Sequence, residues 1–267
     1  MGIINVTPDS FADGGLRFDP ARAIDDGWQM LEDGADILDV GGESTRPGAE
    51  PLDAGEELRR VLPVVAALGR RAVVSVDTYK AVVAREAVAR GAAIVNDISA
   101  LRYDKALGAV AAESGAAVVL VHNRGRSRDM YKEAKYRDVA STIAAELSAL
   151  IAAAEEAGIK REAIILDPGL GFAKEPWHSY HALASLERLS SLGRPVLSGP
   201  SRKSFLKLAL GDVPPSEREW GTAAAVAASV LFGAHIVRVH GVREMVQVVR
   251  VTDCLLAAAD GAPPPAV

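Results

Sequence analysis

The chain has 267 residues, a formal net charge of −5 from 30 Lys and Arg against 35 Asp and Glu, and 49% apolar residues. That balance excludes disorder and gives no basic footprint for nucleic acid. The lone Cys254 excludes an internal disulfide and a Cys-rich zinc site, no apolar run nears the roughly 18 residues that span a bilayer, and no signal-peptide pattern opens the chain, so a cytoplasmic location is expected.

Short apolar runs, rich in Val and Ile, recur along the chain and each ends in a polar or Gly-rich turn. They predict strands at Gly2–Val6, Asp36–Val40, Ala72–Val76, Ala93–Asn96, Ala117–Val121, Ala163–Leu166, Pro195–Ser198 and His235–Val239. Ala-rich segments with helical spacing separate them, most clearly Ala81–Arg90, Ser141–Ala157 and Thr222–Phe232. Gly34, Gly91, Gly115, Gly158 and Gly233 stand where left-handed helix C-caps are needed. From Val6 to Val239 the rhythm repeats about every 33 residues. Near-continuous apolar strands alternating with helices imply a parallel sheet covered by helices. Eight units predict a closed (β/α)₈ (TIM) barrel, whereas a doubly wound open sheet typically has fewer strands and a more Gly-rich first turn. No linker interrupts the chain, so residues 1–260 are expected to form one domain, with Gly261–Val267 as a disordered Pro-rich tail.

In such a barrel the chemistry collects at the C-terminal ends of the strands. There the chain carries Asn5 to Gly15, Gly41 to Gly48, Asp77-Thr78, Asn96-Asp97, His122-Asn123, Asp167 to Phe172, Ser201 to Phe205 and Arg238-Val239-His240. Taken singly, Asp77 or Asp97 reads as a helix N-cap, Asp167-Pro168-Gly169 as a turn, Arg202-Lys203 as a solvated pair, and His240 as a satisfied polar residue. Eight polar strand ends at one rim are a different matter, and it is the constellation that points to function. Asp77, Asn96, Asp167 and Lys203 offer two carboxylates, an amide and a cation. Carboxylates and an amide suit the donor and acceptor edge of an amino-pyrimidinone heterocycle. Arg238 and His240 suit a phosphate or diphosphate, and Asn5 adds an oxygen ligand for Mg²⁺. The first two loops, with Gly14, Gly15, Gly41, Gly42 and Gly48, have the composition of mobile lids.

In combination, NVTPDSFADGG at Asn5–Gly15, GGESTRPG at Gly41–Gly48, SVDT at Ser75–Thr78, Asn96-Asp97, DPGLGF at Asp167–Phe172, SRKSF at Ser201–Phe205 and RVH at Arg238–His240 resemble the dihydropteroate synthase family. The likeness runs from residue 2 to residue 242. It implies a pterin-binding barrel that joins 6-hydroxymethyl-7,8-dihydropterin diphosphate to 4-aminobenzoate, releasing diphosphate and forming 7,8-dihydropteroate for folate synthesis. By that resemblance Asp77, Asn96, Asp167 and Lys203 hold the pterin. Asn5, Arg238 and His240 hold the diphosphate, with Mg²⁺ at Asn5. Phe11, Thr45, Arg46, Pro47, Phe172, Lys203 and Ser204 frame the aminobenzoate, and Asp9 and Asp13 lie near the reacting carbon, with Asp9, Asp13, Lys203, Arg238 and His240 as the catalytic set. It also implies a homodimer formed through late helices, and sulfonamide sensitivity, because the Phe11 and Thr45-Arg46-Pro47 regions follow the family pattern.

The chain departs from that pattern in four places. The fifth strand ends in Val121-His122-Asn123 rather than Met-His-Met, which puts a polar group near the pterin. Ala173 replaces a Gly before Lys174, and Gly241 replaces an Asp, removing a carboxylate near the diphosphate. Met1 falls inside the first strand, so either the start is trimmed or strand 1 has little cover at the barrel bottom. Two other readings share the fold: a methyltetrahydrofolate corrinoid methyltransferase domain, which has no reason to keep SRKSF or TRPG, and a catalytically silent pterin-binding barrel, against which the intact Asn5, Arg238, His240 and both loops argue.

Overall fold

The structure is a computed structural model that describes residues 1–7, 19–44, 49–125, 130–263 and 265. Each of the eight apolar runs contains or overlaps a strand: β1 Gly2–Asn5, β2 Ile37–Gly41, β3 Val73–Asp77, β4 Ala92–Asp97, β5 Ala117–Val121, β6 Ile164–Asp167, β7 Leu197–Ser198 and β8 Ile236–Val237. The described helices are α1 Pro20–Glu32, α2 Ala54–Leu68, α3 Ala81–Val88, α4 Ala106–Ser114, α5 Val139–Glu156, α6 Pro176–Leu183, α7 Glu187–Ser190, α8 Lys207–Leu210, α9 Glu219–Leu231 and α10 Val242–Ala259. Asp19, Asp53 and Asp138 cap α1, α2 and α5 by accepting from backbone N–H groups of the first turn. The five predicted C-cap glycines all adopt positive φ.

β1 to β6 form one parallel sheet in sequence order, and β7 pairs with β8. Single bridges join the two pieces into a closed barrel: Leu166 to Val196 between β6 and β7, and Gly2 to Val239 between β8 and β1. At the second seam Ile3 N donates to Val239 O and Val239 N donates to Met1 O, both at 3.0 Å. The last two strands are shorter than their apolar runs because Val196 O takes both His235 N and Ile236 N, which breaks the regular ladder. Met1 lies at the bottom of the barrel, just before β1. It is buried, its ammonium donates to Val237 O at 3.0 Å, and it packs in the barrel interior with Ile94, Val119, Ile165 and Leu197.

The period of two along each strand sorts the side chains. Leu38, Val40, Val74, Val76 and Val95 point outward and pack on Val61, Val64, Leu68, Val83 and Ala87 of α2 and α3. A second outer layer sets Val118, Leu120, Ile164 and Leu166 against α5 and α6. Fully burying each such residue is worth roughly 1.5–3 kcal/mol. The alternate positions face inward: apolar near the bottom, then Asp39, Ser75, Asp77, Asn96 and Asp167 toward the C-terminal rim. The helix that follows β7 buries Thr222, Ala225, Val226, Ser229 and Val230 on the barrel and leaves Leu231 and Phe232 outside. α10 ends in a cap in which Ala262 N donates to Ala257 O at 2.8 Å. Of the expected tail, residues 264, 266 and 267 lie outside the described residues.

Candidate active site

At the C-terminal mouth, side chains from five strands meet. Arg238, just past β8, donates from Nε to Asp39 Oδ2 at 2.6 Å and from Nη2 to Asp77 Oδ2 at 2.9 Å. Asn96 of β4 donates from Nδ2 to the same Asp39 oxygen at 3.0 Å. Among the described residues, Asp39 Oδ1, Asn96 Oδ1 and Ser75 Oγ are buried with no hydrogen-bond partner. Buried polar atoms left over in this way mark a place shaped for a polar ligand. Burial, opposed by Arg238, pushes Asp77 up to about 7, so near neutrality it can meet either a donor or an acceptor. Burial also works against the Arg238 charge, but Asp39 and Asp77 outweigh it and hold the guanidinium firmly cationic.

Asp39 is a candidate site residue that the strand-end pattern does not pick out. It was absorbed into an apolar run, although a lone carboxylate between Leu38 and Val40 was the available signal. Arg238, expected at the diphosphate, instead donates to Asp39 and Asp77 and is tied to this buried pair of carboxylates.

The β6 loop forms the second wall. Asp167 is buried, its Oδ1 accepts from Gly169 N at 2.6 Å, and burial raises its pKa. Gly169 has φ +67, and a Cβ there would lie 1.9 Å from His122 O, so this close approach admits only glycine. Phe172 rests on the apolar barrel interior, and Lys203 Nζ stands 3.9 Å over its ring centroid. Burial and the nearby Arg238 charge bring Lys203 down to about 8. Behind this wall Lys174 is fully enclosed and donates to His122 Nδ1 at 2.8 Å, His122 O at 3.2 Å and Phe172 O at 3.0 Å. His122 Nε2 meets Glu146 Oε2 at 2.9 Å, and Arg124 pairs with the same carboxylate. Lys174 therefore fixes the main chain of Phe172, a role that sequence spacing alone did not reveal.

At the rim, Ser201 Oγ contacts His240 Nδ1 at 2.9 Å and accepts from His240 N at 3.2 Å. Between Ser201 and Lys203, Arg202 adopts φ +57, a left-handed conformation held by its N–H to Thr222 Oγ1 at 3.0 Å and its Nε to Glu219 Oε2 at 2.9 Å. Asn5 ends β1 beside Gly41 with its side chain exposed at the same rim. Ser204, also exposed, begins the short turn after Lys203. Asp9, Phe11, Asp13, Thr45, Arg46 and Pro47 lie outside the described residues. The stem of the second loop is described: Glu43 accepts from Leu52 N at 3.2 Å and from Tyr79 at 2.8 Å, and Lys80 pairs with Glu43 and the buried Glu57.

Two departures acquire a local explanation. Asn123 is buried within its own loop, donating to Ile98 O at 3.4 Å and accepting from Arg124 N at 2.8 Å, so its polar groups are already partnered. Gly241 leaves room for Glu219, whose buried Oε1 would lie 2.4 Å from a Cβ at position 241. A carboxylate thus reaches this region from α9 instead of from the β8 loop. The third departure, Ala173, is fully buried at φ +47, and its carbonyl accepts from Tyr136 OH at 3.0 Å.

The sequence model of the family described as pterin binding enzyme matches residues 1–240. A dihydropteroate synthase of Escherichia coli K12 is 45% identical over 260 residues, covering 97% of this chain and 92% of that protein. The crystal structure of Xanthomonas albilineans dihydropteroate synthase with 4-aminobenzoic acid superposes with a TM-score of 0.89 at 41% identity, covering 98% of this chain and 93% of that one. The Yersinia pestis dihydropteroate synthase in complex with a sulfonamide drug gives a TM-score of 0.90 at 40% identity, covering 98% and 94%.

Proposed function

The chain belongs to the pterin-binding enzyme family, and from that premise we infer that its barrel mouth performs the dihydropteroate synthase reaction. The observation that carries this reading is the buried array of Asp39, Asp77, Asn96 and Asp167 with Arg238 and Lys203, which offers unpartnered acceptors at one end of a closed barrel. In the reaction the bond from the pterin methylene carbon to the diphosphate oxygen breaks, and the amine nitrogen of 4-aminobenzoate bonds to that carbon and loses a proton.

The residues divide the work by charge. Asp77, Asn96 and Asp167 read the pterin edge, with Asp39 fixing Arg238 and Asn96 for that task. An electron-rich pterin ring stabilises positive charge at the methylene as diphosphate departs. Lys203, flanked by Phe172, spans the boundary between the pterin and the aminobenzoate, where Ser204 and the loop residues Phe11, Thr45, Arg46 and Pro47 complete the pocket. Arg238, His240 and Asn5 receive the diphosphate charge, the electrostatic kind of catalysis. The aniline amine is neutral at pH 7, so its attack needs no strong base. Asp9 and Asp13 are assigned to the developing cation and the released proton. Exclusion of water from the mouth keeps the cation from being trapped before the amine attacks.

Mg²⁺ fits this donor set in one way. Among the described residues no three carboxylate, His or Cys side chains cluster to hold a metal, and Asn5 offers a single neutral oxygen. That suits an ion shared with the substrate diphosphate and waters, and its chemistry when bound is charge neutralisation of the leaving group.

We extend the reading to a homodimer in the cytoplasm, built from one domain over residues 1–260. Trp220, Leu231 and Phe232, on and just after α9, together with Val251 and Leu255 on α10, expose apolar side chains suited to a second copy, and no helix among the described residues is long and apolar enough to cross a membrane. Light scattering of the purified protein tests the dimer. The reaction is tested by supplying the pterin diphosphate and 4-aminobenzoate with and without Mg²⁺ and measuring diphosphate and dihydropteroate. Formation of both products supports the reading, and no diphosphate release rejects it.

A further inference from the structure

We propose that Ser201 is a positioning residue that holds His240 in its Nε2–H tautomer and so aims an N–H donor at the diphosphate. The inference rests on the assignment of His240 to that leaving group. Ser201 is 4% exposed, and its Oγ makes both of its contacts with one residue. His240 N donates to it at 3.2 Å, which uses a lone pair. The ring Nδ1 lies 2.9 Å away, and the described residues give the hydroxyl hydrogen no other acceptor. If Nδ1 carried the proton, both ring and main chain would donate to Oγ, and a buried hydroxyl hydrogen would be left unpaired. The satisfied arrangement has His240 N donating to Oγ and Oγ donating to Nδ1. The ring proton then sits on Nε2, the nitrogen on the far side of the ring from Ser201. Two loops are thereby tied together across 39 residues of sequence.

The local backbone supports this role. Arg202, next in the chain, is held left-handed by Thr222 Oγ1 and Glu219, and its carbonyl accepts from Arg218 Nη1 at 2.9 Å. The turn sends Ser201 toward His240 and Lys203 toward Phe172 from the two sides of Arg202. One strained residue therefore orients a group for each half of the pterin diphosphate, and Ser201 transmits that geometry to a ring N–H on the next loop.

The test combines kinetics with nitrogen-15 NMR of the histidine rings, with His240→Gln used to assign the His240 signals among the five histidines. Wild-type protein above the His240 pKa is expected to show the Nε2–H pattern alone. Ser201→Ala, which removes only the hydroxyl, is expected to show a mixture of tautomers. It should lower kcat/KM for the pterin diphosphate about tenfold and leave the KM for 4-aminobenzoate unchanged. Ser201→Thr, which keeps a hydroxyl, should restore both. An Nδ1–H pattern in the wild type, or a Ser201→Ala enzyme with wild-type kcat/KM for the pterin diphosphate, overturns the inference. A wild type that releases no diphosphate instead overturns the functional assignment on which the inference stands.

Discussion

Replacing Asp77 with Asn should stabilise the ligand-free protein while disabling it, and the effect should depend on pH. Asp77 is 12% exposed and moves from 3.8 to about 7, chiefly because burial penalises its charge and secondarily because Asp39 and Glu57 repel it, against the pull of Arg238. Between those two values the unfolded chain has released the proton and the folded protein still holds it. Stability therefore falls as pH rises from about 4 to about 7, and the full cost stands above 7. About three pKa units at 1.36 kcal/mol each set a ceiling of roughly 4 kcal/mol. Asn reproduces the neutral acid, keeps an oxygen for Arg238 Nη2, and leaves the Arg238–Asp39 pair intact. Denaturant unfolding at about pH 8 should find Asp77→Asn more stable than wild type by about 2–4 kcal/mol, and at about pH 4.5 the gap should shrink toward zero. The same variant should lose at least about a hundredfold in kcat/KM for the pterin diphosphate. A variant less stable than wild type at the higher pH, or a difference that does not change with pH, would refute the account of Asp77 as a buried and electrostatically costly carboxylate.

Gly169→Ala should destabilise the fold by at least about 2 kcal/mol in the same unfolding assay, because it combines a left-handed backbone with a Cβ placed on the His122 carbonyl oxygen. Lys203→Ala should abolish product formation in a steady-state assay, whereas Arg46→Ala should mainly raise the KM for 4-aminobenzoate; equal activity in the Lys203 variant would reject its place in the site. A sulfonamide should inhibit competitively against 4-aminobenzoate, and an inhibitor constant insensitive to aminobenzoate concentration would count against the assigned pocket.

The architecture was legible because parallel-barrel strands are buried on both faces and so appear as unbroken apolar runs. Each predicted run contains or overlaps a strand, and even the two that pair least regularly, at Pro195–Ser198 and His235–Val239, were marked by their Val and Ile content. The strand-end residues Asp77, Asn96, Asp167, Lys203 and Arg238 were legible because a barrel projects its strand ends toward one rim. Asp39 was not, since position within a run says nothing about whether a side chain points to the helices or to the lumen until the register is known. Ser201 and Lys174 escaped for another reason. Their partners, His240 and His122, are 39 and 52 residues away, so the sequence contains each member but not the contact. Arg238 is legible as a diphosphate ligand from its fork of donors and from the family resemblance, whereas its ties to two carboxylates at 2.6 and 2.9 Å are visible only in the fold.

The distribution of charge in the barrel explains how a mildly acidic protein can serve a polyanionic substrate. Asp39, Asp77 and Asp167 lie largely buried in the mouth, where the proposed assignment gives Asp77 and Asp167 the neutral hydrogen-bonding edge of the pterin, and Arg238 is paired with two of the three acids. The carboxylates keep Arg238 charged despite burial, and Lys203 remains largely protonated near neutrality with a value of about 8. The cations in turn restrain the carboxylates, as Arg238 does for Asp77. Removing Arg238 would leave Asp39 buried without its cation, an outcome more costly than removing the matched pair. The acids and bases therefore hold one another in place before substrate arrives. Under the proposed assignment, a pterin diphosphate entering this mouth would meet acids and bases already paired with one another.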